Sequence, residues 1–291
     1  MTRSDWGERL FVALQYLLPQ RLLSELMHRL SRLRWRPLKR LLIHGFARHY
    51  RIDMQQAAEP DIDAYPHFNA FFTRALRAEA RPLDPDPRAL LCPVDGAISQ
   101  IGRIENGRLI QAKGQDYAVD TLLGLDPGAP HPFEGGHFVT IYLSPRDYHR
   151  IHMPLAGRLL EMTHVPGALF SVNAATANRV PGLFARNERL VTRFETAAGE
   201  LAQVLVGAIF VGGIETVWSG VVTPPHRLGP PNRLDYREAA PVELARGAEM
   251  GRFNLGSTVV VLLPRGRVDW ETGLAPGQTV RLGQRLGTLA D

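Results

Sequence analysis

The chain has 291 residues, 45% of them hydrophobic, enough for one large domain with or without an appendage. Its net charge is +5, and Cys92 is its only cysteine, which excludes an intrachain disulfide and fits a reducing compartment. No apolar run reaches the roughly 18 residues of a membrane-spanning helix: Leu10 to Leu18 is too short, and Ala202 to Ile214 contains Gln203 and three glycines and reads as a buried strand.

The charge is unevenly placed. Residues 1–51 hold 11 Lys/Arg against 3 acids, a balance of +8, so the remaining 240 residues carry −3. An anionic partner therefore meets the N-terminal segment first. Residues 5–50 read as helical, punctuated by Pro19 and Pro37. Leu22, Leu23, Leu26, Met27, Leu30 and Leu33 recur at the spacing of one helix face, interleaved with Arg21, Arg29, Arg32 and Arg36. Trp6, Phe11, Trp35 and Phe46 add aromatic bulk. Such a basic amphipathic segment suits the interface of an anionic bilayer. A helical hairpin packed on the domain, with its arginines solvated, is the other reading. No small-residue cleavage site follows the apolar run, which argues against a cleaved signal peptide. No nucleic-acid-binding module accompanies the charge, so nucleic acid is not an expected partner.

From about residue 85 the pattern turns to short strands. Ile98 to Ile104, Asn106-Gly107 and Leu109 to Ala112 predict a hairpin with a type I′ turn. His137 to Leu143 alternates and predicts a strand. Leu190 to Thr196 and Leu201 to Phe210, joined at Ala197 to Glu200, predict a second hairpin. Thr258 to Leu263 is a β-branched strand, and Val280 to Leu289, with Gly283 and Gly287, predicts a final small hairpin. Residues 223–233 form a proline-rich loop. The fold class is α+β: N-terminal amphipathic helices over residues 1–55, then a β-rich, mainly antiparallel catalytic domain over residues 56–291.

Three elements carry chemistry. Gly256-Ser257 precedes the Val259–Leu263 run, so a rigid strand entrance would hold the hydroxyl; glycine leaves its own carbonyl unshielded and free to bend. Taken alone, Gly-Ser-Thr is most often a turn. His149 and His152, three apart between Pro145 and Pro154, suit bases or metal ligands. A zinc site would need further ligands, and Cys92, His131 and His137 lack convincing spacing. Asp95, in Pro93-Val94-Asp95-Gly96, suits a turn or the acid that orients a histidine. Asp95, His152 and Ser257 would form a nucleophilic triad. No Gly-x-Ser-x-Gly elbow supports an ordinary hydrolase, and the preceding glycine favours attack on the chain itself.

These stretches together resemble the phosphatidylserine decarboxylase family, pyruvoyl-dependent and membrane-associated. The processing motif stands as Leu255-Gly256-Ser257-Thr258, after Gly247-Ala248-Glu249-Met250-Gly251-Arg252-Phe253. The histidine block is Tyr148 to Pro154 and the aspartate block Pro93 to Gly96. Phe68 to Arg74, Lys113 to Tyr117, Phe170 to Asn173 and Phe184 to Arg189 match as well. The likeness spans about residues 65–265, with no departure at the motif positions.

The resemblance implies a zymogen that cleaves itself. With Asp95 orienting it, His152 takes the Ser257 hydroxyl proton, the oxygen attacks the Gly256 carbonyl, and the resulting ester breaks by β-elimination. A pyruvoyl group derived from Ser257 remains, on a small chain (257–291) that stays threaded in the sheet of the large chain (1–256), so Val259 to Leu263 should be buried. The cofactor then decarboxylates phosphatidylserine to phosphatidylethanolamine through a Schiff base, a step of phospholipid biosynthesis. His149 is the candidate proton donor there, and Phe170, Ser171 and Asn173 would line the head-group pocket. No metal is implied. A homodimer, peripheral on the cytoplasmic side of the cell membrane, is expected. The alternative is a membrane-associated serine hydrolase using Asp95, His152 and Ser257 on an external ester.

Overall fold

The computed structural model describes residues 3–112, 114–210, 213–226, 228–238 and 240–290; Lys113, named above, and Arg227, within the proline-rich loop, lie outside the described residues. Three helices come first: α1 (Arg3–Leu17), α2 (Gln20–Leu30) and α3 (Arg36–Tyr50). Pro19 caps α2 and Pro37 sits in the first turn of α3, where a missing N–H costs nothing. A fourth short helix, α4 (Phe68–Phe72), packs Phe68, Phe71 and Phe72 with Tyr65 around Ile43 of α3.

The helices meet the body through polar groups. Gln15 Oε1 accepts the Ser171 N–H and Gln20 Oε1 the Leu169 N–H, both at 2.7 Å. Ser24 Oγ accepts the Phe210 N–H at 3.1 Å. Arg179 pairs with Glu8 at 2.8 Å. Several leucines stay exposed: Leu17, Leu22 and Leu26 are 82%, 66% and 50% exposed. The helices are thus packed on the domain while part of their leucine stripe stays exposed.

The central sheet has nine strands, every pairing antiparallel, in spatial order 232–235, 157–165, 189–196, 199–206, 257–263, 137–143, 96–103, 279–280, with 243–244 also against 157–165. Ser257–Leu263 runs through its middle, and all seven of its residues are buried. The β-branched run thus lies where strand propensity and burial agree. The expected burial of Val259 to Leu263 holds. The segment after 256 also supplies 279–280 to this sheet, and 268–270 and 285–289 to a three-stranded sheet with 89–91. A four-stranded sheet orders 220–223, 214–216, 249–253 and 150–152, laying the histidine block beside the lead-in to Gly256.

Two predicted hairpins need correction. Asn106 and Gly107 have φ of 53° and 67°, as a type I′ turn requires. The ladder stops at the Glu105–Arg108 bridge, however, and Arg108–Ala112 pairs onward with Gln115–Ala118. Residues 280–289 do not pair with themselves. Val280 joins Gly96, and the turn at Gly283 delivers the chain to Cys92, whose N–H donates to Gln284 O at 2.7 Å and whose carbonyl accepts from Gly283 at 3.0 Å. The longer 189–196/199–206 hairpin forms as expected but ends at Val206.

Candidate active site

Strand register sets the frame. Ser257 lies opposite Leu143, Thr258 opposite Tyr142, and Tyr142 opposite Ala97. The chain entering at Asp95 and the chain entering at Ser257 therefore come in at the same end of three adjacent strands. Gly96 is needed there: a Cβ would stand 2.4 Å from the Tyr142 carbonyl oxygen. Gly256 is glycine for a different reason. Nothing crowds its Cβ position, but its φ is +29°, in the region side chains avoid.

Ser257 is fully buried, and its Oγ has no hydrogen-bond partner among the described residues. A buried hydroxyl without a partner is costly unless it has a task. Next to it, Leu30, Leu41, Phe46, Phe72, Leu255 and Gly256 help to line an apolar cavity of about 780 Å³ between α2, α3 and α4. That size suits a small-molecule or lipid group, and its lining is mainly apolar.

The two histidines are fixed as the same tautomer. His149 Nδ1 donates to the Asp147 carbonyl and His152 Nδ1 to the Gly247 carbonyl, both at 2.8 Å. Each Nε2 is thereby left as a lone pair. His152 Nε2 accepts from the Tyr148 hydroxyl at 3.1 Å. His149 Nε2 is buried with no partner among the described residues, and its ring lies 4.2 Å from that of Phe72, a wall of the cavity. Burial pushes the His149 pKa down to about 3, so the ring is neutral at physiological pH. Burial also lowers that of His152. Desolvation pushes the Tyr148 phenol up to about 12, keeping it a donor.

Asp95 is held differently from the expectation. Arg81 Nε donates to both of its oxygens, at 2.9 and 3.0 Å, and Arg81 Nη2 closes the fork. Leu282 N–H donates to Oδ1 at 2.9 Å. Asp95 and Ser257 thus share one end of the central sheet, His152 lies in the four-stranded sheet, and the three form no hydrogen-bonded series in this arrangement. The His152 N–H does donate to Pro93 O at 2.9 Å, tying the two blocks together. Phe170, Ser171 and Asn173 do not line the Gly256 cavity. Phe170 stacks 4.7 Å from Tyr16 of α1, Ser171 holds Gln15, and Asn173 caps a short helix at Thr176. Among the described residues, no group of three His, Cys, Asp or Glu could hold a metal ion.

Sequence reading missed Arg81 and Tyr148 as partners. Tyr148 lay within the histidine block, four residues before His152, a spacing that gave no sign of contact in a non-helical segment. Arg81 stands in a charged stretch with no motif of its own.

Comparison with known proteins identifies the family. The family model for phosphatidylserine decarboxylase matches residues 68–288, and a second one, described as PSD, matches residues 10–51. A phosphatidylserine decarboxylase proenzyme of Ectopseudomonas mendocina is 57% identical over 280 residues, 96% of this chain and 98% of its own length. One from Azotobacter vinelandii is likewise 57% identical, with the same coverage. One from Pseudomonas fluorescens is 56% identical, covering 96% of this chain and 97% of that protein. With its buried hydroxyl behind a glycine and its two neutral imidazoles, the chain belongs to the phosphatidylserine decarboxylase family.

Proposed function

We propose that the chain is a phosphatidylserine decarboxylase proenzyme that cuts itself between Gly256 and Ser257. The observation that carries this reading is the unpartnered, fully buried Ser257 Oγ at the mouth of a central strand, behind a glycine at positive φ. Ser257 is the nucleophile on the Gly256 carbonyl. Its proton passes to His152 Nε2, which requires the Tyr148 hydroxyl to swing aside. Asp95, its charge fixed by Arg81, acts on His152 through the field rather than through a bond. The ester that forms breaks when the Ser257 α-proton leaves, releasing the Gly256 carboxylate; the dehydroalanine left behind tautomerises to an imine, which water hydrolyses to the pyruvoyl carbonyl with loss of ammonia.

The residue at position 257 fits a pyruvoyl group made from the serine itself, since the strand behind it is buried and the cavity before it is apolar and open. Such a carbonyl supplies an electron sink for a substrate amine. His149, whose Nε2 has no partner among the described residues and whose ring packs 4.2 Å from that of Phe72, is the residue assigned to move the proton there. The apolar cavity receives the apolar part of the substrate. Phe170 and Ser171 seat α1 and Asn173 caps the short helix after them, and a head-group role for the three is proposed only through that support.

The same proposal places residues 1–55 on an anionic membrane surface, peripheral and on the cytoplasmic side, in a homodimer. The outward leucines and the 11 cations of residues 1–51 support the membrane part. Among the described residues no helix is long and apolar enough to cross a membrane. The serine-hydrolase alternative finds no support in the relatives, which carry decarboxylase names. Ser257→Ala tests the reading: it is expected to leave one uncut, inactive chain, and a cut or active variant would overturn it.

A further inference from the structure

Asn254 stands three residues before Ser257 and is fully buried. Both ends of its side-chain amide are used. Nδ2 donates to Glu215 Oε1 at 2.8 Å, and Oδ1 accepts from Asn69 Nδ2 at 2.9 Å. Its backbone N–H donates to Gly213 O at 2.8 Å. Each arm continues to the same place. Glu215 Oε1 also accepts from Arg32 Nη2 at 3.2 Å, and Arg32 is tied back to the end of α2 through His28 Nδ1 at 2.9 Å. Asn69, in α4, donates its N–H to Ser31 O at 2.8 Å. Ser31 and Arg32 are adjacent, at the corner between α2 and α3.

We infer that this polar relay, Arg32–Glu215–Asn254–Asn69, positions the Gly256–Ser257 peptide for self-cleavage and makes cleavage depend on the seating of the α2–α3 corner. The inference rests on the functional reading above and deepens it. Only Leu255 and Gly256 separate the Asn254 anchor from the rigid strand that begins at Ser257. Each residue spans at most about 3.6 Å, so two anchored ends leave the turn little slack. Without the first anchor, glycine is free to leave its positive φ, and the carbonyl drifts from the hydroxyl. A misplacement of about 1 Å can cost on the order of 100-fold in rate. After cleavage Asn254 belongs to the tail of the large chain and no longer bears on position 257. It is therefore a positioning residue for maturation and not for decarboxylation.

The test follows fragment appearance by intact mass after cell-free synthesis of the full chain. Asn254→Asp keeps the shape but sets a carboxylate against Glu215. It is expected to slow cleavage by about 10- to 100-fold. Decarboxylation per cut molecule should stay within about twofold of the parent. Adding Glu215→Gln to Asn254→Asp restores a hydrogen bond with the donor on the other partner, and should recover most of the rate. Arg32→Gln, at a side chain 26% exposed, should slow cleavage in the same direction. A parent that cuts, with Asn254→Asp and Arg32→Gln both cutting at the parental rate, overturns the relay alone. A parent that never cuts removes the functional reading and the relay with it.

Discussion

The Tyr148 hydroxyl donates to His152 Nε2 at 3.1 Å, capping the lone pair that self-cleavage requires. The neighbouring His149 Nε2 stays bare. Tyr148→Phe removes the cap without changing the packing of the ring. It is expected to speed cleavage by roughly two- to tenfold, since general-base catalysis gains when the base is already free. Time courses of precursor loss check this; a fall in rate would make the phenol a carrier of the proton instead of a cap.

The two imidazoles are assigned to different steps. His152→Ala should leave uncut precursor. His149→Ala should cut and then fail to turn over, with losses on the order of 100-fold or more. Gel analysis and carbon dioxide release on the same preparations separate the two. Cut His152→Ala together with uncut His149→Ala would exchange the roles.

Acid should destabilise the chain through the same residues. An unfolded histidine titrates near 6.5, whereas burial holds His149 at about 3 and lowers His152 as well. Between those values the unfolded state binds more protons, so stability is full above about pH 6.5 and is lost as pH falls towards 3. The loss from His149 is on the order of a few kcal/mol. In the uncut Ser257→Ala background, His149→Gln should flatten the fall of melting temperature between pH 7 and 4. An unchanged slope would mean that His149 is not held neutral by the fold.

Arg81 and Asp95 form a buried pair, their side chains 13% and 10% exposed. Arg81→Ala strands the Asp95 carboxylate and should cost about 3 kcal/mol. Arg158→Ala, which breaks a pair exposed at 37% and 61%, should cost less than about 1 kcal/mol. Urea denaturation of uncut variants compares them; equal costs would remove the fixed charge assigned to Asp95.

Leu10, Leu14 and Leu22 are exposed, so replacing all three with serine should leave melting temperature and cleavage unchanged while reducing flotation with anionic vesicles. Near an anionic surface each cation contributes about 1 kcal/mol, so salt should weaken the remaining binding. Vesicle binding equal to the parent's would remove the membrane role of these leucines.

The physical reasons that some features could be read in the sequence are specific to them. The Val259–Leu263 run has β-branched residues and no charge, so its central, buried position followed from its chemistry. Pro19 and Pro37 marked the helix breaks because proline constrains the chain locally. The orientation of α2 was not legible. Its periodicity shows two faces, but only the tertiary contacts of Gln20 and Ser24 reveal that the polar face is the docked one. The pairing of residues 280–289 was hidden because turn chemistry at Gly283 fixes a bend and not the partner strand. The Arg81–Asp95 grip joins residues whose neighbours in sequence say nothing of each other.

The most direct test is the intact mass of purified, active protein. Self-cleavage requires two species, residues 1–256 and residues 257–291, the smaller with a blocked N-terminus and a mass lower than its unmodified sequence. A single unbroken chain from material that still releases carbon dioxide from phosphatidylserine would contradict the account.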